Sequence, residues 1–333
     1  MAVRRFGCSL ATEGQSVKKT RAETTAAAKK TVMNWLVFTA FRLGLCVIQA
    51  MPLELCYAIA RLASRVAFAI TPKHRKIAME NLRHAFRDQY SEAQLRQIVY
   101  DLYVHFVTIG VEIAHLPRLM RHTTWRRFVQ PLNQGPLIEK VLSGRPVIML
   151  TAHFGNWEIA GYSMAVFGFK PYSVARSLDN PFLEKLLRSI RTRTGQEIVY
   201  KRGAFDLVSE LMQRACMVAF LSDQDAGHRG VFVEFFGRPA SSHKGVALLA
   251  VEHDAPICMG FARRLGRGFN FEVWVENIIE PRDYRDRPDP VWAITQDFTR
   301  SFEAVVRRNP EQYLWLHRRW KSQPEKATRP KAA

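Results

Sequence analysis

Short, almost wholly apolar runs alternate with amphipathic stretches over most of this 333-residue chain. Residues 146–151 (PVIMLT) and 216–222 (CMVAFLS) are the clearest runs, and runs of this length are typical of parallel strands covered on both faces. Residues 157–167, 182–194 and 205–214 between and beside them are predicted to be helices. The alternation predicts an α/β fold with a central mixed, largely parallel sheet flanked by helices.

The same patterns predict the remaining elements. Ser91 is a plausible N-cap for a helix over residues 92–115. Further helices are expected at residues 137–142, 243–253 and 292–307, and further strands at residues 170–175, 231–236, 256–262 and 269–276. Ligands of such sheets gather at the carboxyl ends of the strands, so that is where we expect the functional residues.

The N-terminal part of the chain divides into two segments. Residues 1–31 are polar and basic and are predicted to be a disordered extension. Residues 32–70 form two largely apolar stretches around Pro52, predicted to be membrane-associated helices. Arg42 argues against a secretory signal, and its cost in a spanning helix, about 2.5–3.5 kcal/mol, can be offset by the surrounding apolar residues. The alternative is a pair of core helices in a soluble bundle.

The second of these stretches is predicted to be an interfacial amphipathic helix, because Arg61 and Arg65 lie one turn apart on one face. Residues 71–321 then form the main domain, and residues 322–333 a basic tail.

The chain is strongly basic, with 49 Lys and Arg against 30 Asp and Glu and a net charge of +19. Such a surface favours an anionic partner, whether nucleic acid, an acidic membrane, or an acidic carrier protein or substrate. The zinc-finger spacing, aromatic RNA-binding motif and heptad-linked basic region of nucleic-acid binders are missing from the sequence, so no nucleic-acid partner is expected. A non-catalytic basic binding protein remains the alternative from a different class.

The predicted strand at residues 146–151 leads directly into His153, Gly155, Asn156 and Glu158. Asn156 suits a helix N-cap, which places Glu158 in the first turn and lets its carboxylate fold back to the imidazole. A carboxylate on one ring nitrogen makes the other a better general base. The alternative is that His153 merely precedes a helix whose dipole favours an acidic first turn.

Five segments resemble the bacterial lipid A late acyltransferases, the lauroyl and myristoyl transferase family. They are residues 151–158 (TAHFGNWE), 176–181 (RSLDNP), 191–193 (RTR), 222–225 (SDQD) and 311–320 (EQYLWLHRRW). The resemblance implies a glycerolipid-acyltransferase-like fold and transfer of a fatty acyl chain from acyl carrier protein to a hydroxyl of a lipid A precursor. It also implies an anionic inner membrane as the location, a phosphorylated glycolipid as acceptor, and an active site that faces the cytoplasm.

The resemblance assigns roles by position. His153 matches the family's general base and Glu158 its partner, while Arg191 and Asp223 match an essential arginine and aspartate. Arg176 matches a motif arginine. On general grounds Arg191 could stabilise an oxyanion or clamp a phosphate, and Asp223 could orient Arg191 or His153.

Arg176, Asn156 and Asp225 are taken as substrate-binding candidates. No metal and no cofactor is expected, because two carboxylates in 223–225 make a weak metal site and thioester acyl transfer needs no redox group. In the terminal block, Arg318 and Arg319 are expected to be solvated. Relatives of the same fold acylate phosphatidylinositol mannosides or other lipid and pigment alcohols from acyl-CoA or acyl carrier protein, so these acceptors and donors stay open.

Overall fold

The computed structural model describes residues 21–200 and 204–324. Four helices come first: α1 (Arg21–Ala50), α2 (Leu53–Ile70), α3 (Pro72–Phe86) and α4 (Glu92–Leu119). Ser91 caps α4 with a capping box, in which its side chain accepts from the Gln94 N–H and the Gln94 side chain accepts from the Ser91 N–H.

Strands and helices alternate after α4. The strands are β1 (Val129–Leu132), β2 (Val147–Thr151), β3 (Tyr172–Ala175), β4 (Glu197–Tyr200), β5 (Met217–Leu221), β6 (Val231–Phe235), β7 (Arg238–Ser242), β8 (Ile257–Arg264) and β9 (Phe271–Ile279). The helices are α5 (Gly135–Leu142), α6 (Trp157–Val166), α7 (Pro181–Arg191), α8 (Ala204–Gln213), α9 (Gly245–Glu252) and α10 (Pro290–Arg308).

Seven strands form one sheet in the order β1-β9-β8-β2-β5-β3-β4. Every neighbouring pair in it is parallel except β8 and β9, which are antiparallel, and β6 and β7 form a separate antiparallel pair. The fold class predicted from the alternating pattern is therefore confirmed. Ile148 and Leu150 of β2 and Val218 of β5 have no exposed surface, as expected of the most central strands.

Four elements were not predicted: α3, β1, β4 and β7. The two short sheet strands have only four residues each, and β7 (RPASS) combines Pro with two Ser. Helix α3 is rich in charged residues and has no long apolar stretch. Neither propensity nor periodicity marks such segments, since their conformation depends on the neighbours with which they pair or pack.

The boundaries of the N-terminal and C-terminal segments also differ from expectation. Helix α1 begins at Arg21, so residues 21–31 continue the apolar helix instead of being disordered. Residues 1–20 lie outside the described residues. At the other end Ser322, assigned to the tail, is buried, while residues 325–333 lie outside the described part.

Two of the described helices, Ala28–Ala50 and Glu92–Leu119, are long and apolar enough to cross a membrane by length and composition alone. They differ in packing, because 56% of the second window is buried inside the protein and only 6% of the first. Helix α2 buries Cys56, Tyr57 and Ala60 and exposes a second stripe at spacings of three to four residues. That stripe consists of Leu55, Ile59, Leu62, Val66 and Ile70.

The first helix is attached to the domain through α7. The Asn180 side chain caps α7 by accepting from the N–H groups of Phe182 and Leu183, and its amide donates to the Asn34 carbonyl at 2.9 Å. The rings of Phe38 and Phe182 lie 5.8 Å apart. Helix α7 thus connects α1 with the edge of the sheet where β3 and β4 lie.

Candidate active site

His153 lies in the loop that follows β2, and three backbone hydrogen bonds fix that loop in place. The Gly155 N–H donates to the Gln312 carbonyl at 2.8 Å, and the Leu314 N–H donates to the His153 carbonyl at 3.1 Å. The Asn156 N–H donates to the Ala262 carbonyl at 2.8 Å. The C-terminal block therefore binds the loop on one side, and β8 binds it on the other.

Gly155 is required in this loop by its conformation and by a close backbone approach. Its φ is +56°, a left-handed value that suits glycine. A Cβ built on Gly155 would lie 1.9 Å from the Ala262 carbonyl oxygen and 2.8 Å from its carbon. Because these atoms belong to a backbone inside the sheet, no side-chain rotation can relieve the clash.

The imidazole of His153 pairs with Asp223, and the sheet register explains why. Thr151 lies opposite Leu221 across β2 and β5, so His153 and Asp223, each two residues further on, come together at the carboxyl ends of the two strands. His153 Nδ1 and Asp223 Oδ1 are 2.7 Å apart, and Trp157 packs its ring 5.1 Å from the imidazole. The carboxylate fixes Nδ1–H, which leaves Nε2 as the basic atom.

The electrostatics of the pair favour a charged carboxylate and a more basic imidazole. Burial opposes the charged form of His153, but attraction and hydrogen bonding from Asp223, with a smaller effect of Glu158, raise the pKa of His153 above its usual value. Burial also opposes ionisation of Asp223, yet its interactions with His153 lower the Asp223 pKa. Burial and the neighbouring Asp223 raise the pKa of the Tyr313 hydroxyl, which stays protonated.

Glu158 has a different partner from the one expected. Its carboxylate accepts two hydrogen bonds from Arg191, at 2.9 Å from Nε and 2.5 Å from Nη2. The expected contact between Glu158 and the His153 imidazole is therefore replaced by the Asp223 contact. The reason is that α6 points Glu158 toward the end of α7, where Arg191 supplies a planar guanidinium that matches a carboxylate in two bonds.

Asn156, expected to bind substrate, is buried, and its side chain binds other groups of the protein. Its side chain caps α6 by accepting from the Ile159 N–H, and its amide donates to Glu112 Oε2 at 2.7 Å. Glu112 also accepts two hydrogen bonds from Arg264, whose Nη1 lies 2.9 Å from His105 Nδ1. This buried cluster of Glu112, Arg264, His105 and Asn156 supports the His153 loop from below.

His105 completes the cluster by contacting the loop itself. Its Nε2 lies 3.0 Å from the Gly155 carbonyl. Burial, followed by the Arg264 charge, lowers the pKa of His105 well below its usual value, so the ring is neutral. With Arg264 donating to Nδ1, the hydrogen-bond network assigns the proton to Nε2, which donates to Gly155.

Asp225, also expected to bind substrate, is half-buried and uses its carboxylate to bind the C-terminal segment. Its carboxylate accepts from the Ser322 hydroxyl at 3.0 Å and from the Gly227 N–H, while its own N–H donates to His317 Nε2 at 2.9 Å. Asp225 lies two residues after Asp223, and it faces the C-terminal segment that covers the ends of the strands.

Arg319 was expected to be solvated and is instead buried. Its guanidinium donates at 2.5 Å to the Ser241 carbonyl and at 2.5 Å to the Ser242 hydroxyl of β7. Arg318 is exposed, as expected. The terminal block is a series of turns that connects the His153 loop, the Asp225 turn and β7.

A cavity of about 710 Å³ opens beside the two ion pairs. His153, Glu158 and Arg191 line it together with exposed Arg176, so these four assigned residues share one site with Asp223 behind His153. Most of the remaining wall is apolar and comes from β2, β5, α6 and α9. A volume of this size is typical of a small-molecule or lipid-chain site.

The site contains five residues to which the sequence analysis gave no role: Glu112, Arg264, His105, Gln312 and His317. Gln312 and His317 lie in the segment 311–320 that carries the family resemblance. Glu112, His105 and Arg264 lie more than 35 residues from every assigned site residue, and a buried charge in α4 has no local signal. Among the described residues, no group of three His, Cys, Asp or Glu side chains is arranged to hold a metal ion.

Comparison with known proteins agrees with this geometry. A model of the bacterial lipid A biosynthesis acyltransferases matches residues 21–322. The chain belongs to this family. The resemblance drawn from the five sequence segments is therefore confirmed, and the family match includes α1 and the C-terminal block.

Individual members of the family are distant in sequence. The chain is 25% identical over 214 residues to a phosphatidylinositol mannoside acyltransferase of Mycobacterium tuberculosis, over 63% of this chain and 66% of that protein. It is 23% identical over 297 residues to the lipid A biosynthesis lauroyltransferase of Escherichia coli, over 87% and 93% of the two chains. The chain thus spans slightly less than two thirds of the mycobacterial relative.

We expect Gly155→Ala to destabilise the protein by more than Gly144→Ala. Both glycines have positive φ, so both variants incur the left-handed cost of about 1–2 kcal/mol. Only the alanine at position 155 meets backbone atoms, since a Cβ at Gly144 has nothing within 4 Å. Thermal unfolding of the two variants in the same detergent measures the difference, and equal losses would contradict a close approach of Ala262.

We expect the stability lost in Asp223→Asn to depend on pH. Because folding raises the pKa of His153, protonation of its imidazole stabilises the fold. This stabilisation is complete below a pH of about 6.5, the usual pKa of histidine, and is lost as the pH rises through the pKa of His153 in the folded protein. Because folding lowers the pKa of Asp223, ionisation of its carboxylate also stabilises the fold. This stabilisation is complete above a pH of about 3.9, the usual pKa of aspartate, and is lost as the pH falls through the pKa of Asp223 in the folded protein.

The deficit of Asp223→Asn should therefore be larger at pH 5.5 than at pH 9. Unfolding midpoints at the two pH values measure it, and exposed Asp286→Asn is the control, for which no such change is expected. A deficit of the same size at both pH values would show that the pair contributes only a neutral hydrogen bond.

Proposed function

We propose that this protein transfers a fatty acyl chain from the thioester of acyl carrier protein to a hydroxyl of a lipid A precursor at the inner membrane. The pairing of His153 with Asp223 beside a largely apolar cavity is the observation that supports it most directly. A base that can be poised near neutral pH next to space for an alkyl chain is what such a transfer requires.

In the proposed reaction His153 acts as general base. Its Nε2 takes the proton of the acceptor hydroxyl, and the oxygen attacks the thioester carbonyl to form a tetrahedral intermediate. Collapse of the intermediate breaks the carbon–sulfur bond, and His153 returns the proton to the departing thiolate. Asp223 holds Nδ1–H throughout and stabilises the imidazolium, which is the role first assigned to Glu158.

Arg191 is proposed to stabilise the oxyanion. The N–H of Nε and one N–H of Nη2 bind Glu158, which leaves the two N–H groups of Nη1 and the second N–H of Nη2 for a ligand. Holding the guanidinium in place before the reaction lowers the cost of reorganisation, so Glu158 acts here as a positioning residue. Arg176, exposed at the same cavity, is proposed to bind an anionic part of a substrate.

The two N-terminal helices are proposed to hold the protein on the cytoplasmic side of the membrane. Helix α1 exposes Val32, Met33, Phe41, Leu43 and Val47, and α2 exposes its own apolar stripe. Apolar area this extensive and continuous marks a membrane or protein contact. The net charge of +19 suits an anionic leaflet, an acidic carrier protein and a phosphorylated acceptor alike.

A second acceptor class is supported by the comparisons. Three of the relatives carry the name phosphatidylinositol mannoside acyltransferase, with 25% to 26% identity. The chemistry at His153 would be the same with either acceptor. Acyl-CoA in place of acyl carrier protein is the alternative donor.

We expect His153→Ala to reduce product formation by about 10²–10⁴-fold, the usual contribution of a general base. Membranes that contain the protein would receive a tetra-acylated lipid A precursor and acyl carrier proteins loaded with saturated chains. Mass spectrometry would detect a product heavier by one acyl group. His122→Ala, at an exposed histidine outside the cavity, is the matched control and should retain activity.

Product from acyl-CoA but not from acyl carrier protein would overturn the proposed donor. Product from a phosphatidylinositol mannoside but not from the lipid A precursor would overturn the proposed acceptor. Full activity of His153→Ala would overturn the role of this residue.

We expect the double variant Leu43→Glu, Val47→Glu to lose membrane association. The two side chains are exposed on α1, and burying their charge in the bilayer is costly. Flotation with anionic vesicles measures binding, and Leu142→Glu, on exposed α5, should bind like the unmodified protein. Unchanged flotation of the double variant would contradict an anchoring role for this face of α1.

A further inference from the structure

The cavity beside His153 continues downward between α6 and the sheet. Side chains alternate along a strand, so His153, Thr151 and Met149 point to the same face of the sheet. The register places Ala219 of β5 beside Met149 and Ser173 of β3 beside Ala219. Thr151, Met149, Ala219 and Ser173 all line the cavity, which shows that this arm follows the strands away from the catalytic loop.

The opposite wall of this arm is made by α6. Gly161 lies three residues after Glu158, on the same side of the helix, and lines the cavity with no side chain of its own. The space is a narrow one, because a Cβ at Gly161 would lie 3.3 Å from Gln196 Nε2. The channel therefore begins directly beneath the pair of Glu158 and Arg191.

Gln196 and Ser173 close the lower end of the arm with polar atoms. Gln196 is 6% exposed, and its Nε2 donates to the Ser173 hydroxyl at 2.7 Å. The side chain is thus fixed across the channel between α6 and β3. A methylene chain that grew past this point would have to displace a buried amide from its hydrogen bond, which is unfavourable.

The length of the arm corresponds to a medium chain. Ser173 lies in the row of Met149, four residues before His153, which is about 13 Å along the strands at about 3.3 Å per residue. It also lies two strands to the side of β2, about 10 Å at about 4.8 Å per strand, so the two displacements combine to about 16 Å. An extended alkyl chain advances roughly 1.3 Å for each carbon–carbon bond of about 1.5 Å. About twelve to fourteen carbons therefore reach from the reacting carbonyl to Gln196.

We propose that Gln196, held by Ser173 and facing Gly161, is the residue that limits the length of the transferred acyl chain. This inference rests on the proposed acyl transfer. It assigns the arm beneath α6 to the donor's acyl chain and makes about twelve to fourteen carbons the preferred length.

Two other arms of the cavity could hold a chain instead. One runs beneath β8 and β9 to Gln134, past the Met149 side chain, which lies against Gly260. The other passes between β3 and β5, whose pairing ends at Ser173 and Ala219, and reaches Leu248 on α9. The arm to Gln196 also crosses the sheet, from β2 past β5 to β3, but it is the one that passes directly beneath Glu158, because Gly161 lies one turn after Glu158 and faces Gln196.

The test is a competition assay with acyl carrier proteins loaded with saturated chains of eight to sixteen carbons, read by mass spectrometry of the lipid product. Gln196→Ala removes the floor and should raise the share of products with sixteen carbons at least tenfold. Gly161→Leu fills the channel and should shift the preferred length to eight carbons or fewer. Gln196→Met keeps the side-chain length but loses the hydrogen bond to Ser173, and it should lengthen the profile by less than Gln196→Ala.

Gln134→Ala and Leu248→Ala open the two other arms and should leave the profile unchanged. A profile that lengthens with either of them, and not with Gln196→Ala, would overturn the assignment of the arm. Product formed with the same length profile in Gln196→Ala and Gly161→Leu would overturn the length limit while leaving the acyl transfer intact. Absence of product in the unmodified protein with every donor would overturn the acyl transfer itself, and the length limit with it.

Discussion

The position of His153 depends on a buried ionic cluster that contacts no substrate surface. Glu112, with no exposed surface, and Arg264 neutralise each other, and His105 and Asn156 use the remaining hydrogen bonds to hold Gly155 and the start of α6. Removing one member of such a pair costs about 3–5 kcal/mol, because the other charge is left buried and unpaired. The loop is therefore expected to keep this conformation only while all four members of the cluster are in place.

The loop is also held from the opposite side by the C-terminal block. Gln312 binds both the Gly155 N–H and, through its side chain, the backbone of Arg264. His317 and Ser322 bind Asp225, two residues after Asp223. Residues 312–322 therefore help to orient His153 and Asp223.

The site combines the exposed cation Arg176, the ion pairs His153–Asp223 and Arg191–Glu158, and a largely apolar cavity. It lies near α1, the helix that carries the exposed apolar face. Helix α7 links these parts, because Asn180 at its start contacts α1 and Arg191 at its end contacts Glu158. In the proposed function, α7 is the element between the helix that would meet the membrane and the cavity that would hold the reacting groups.

Much of the fold follows from local patterns in the sequence. The apolar run of residues 146–151, the N-cap at Asn156 and the Pro at the start of α7 are local signals, and they predicted β2, α6 and α7 within two or three residues. The short strands β1 and β4 have no such signal, since four residues become a strand only when a neighbour supplies the hydrogen bonds.

The sequence by itself also identified five residues of one site, which are His153, Glu158, Arg191, Arg176 and Asp223. It did not determine the pairing of the two carboxylates, because chain distance favoured Glu158, five residues from His153, over Asp223, seventy residues away. Only the strand order, which places β5 directly beside β2, puts Asp223 on the imidazole and leaves Glu158 to Arg191. The burial of Asn156 and Arg319 and the hydrogen bond from Ser322 to Asp225 likewise depend on segments that are remote in the chain and have no local signature.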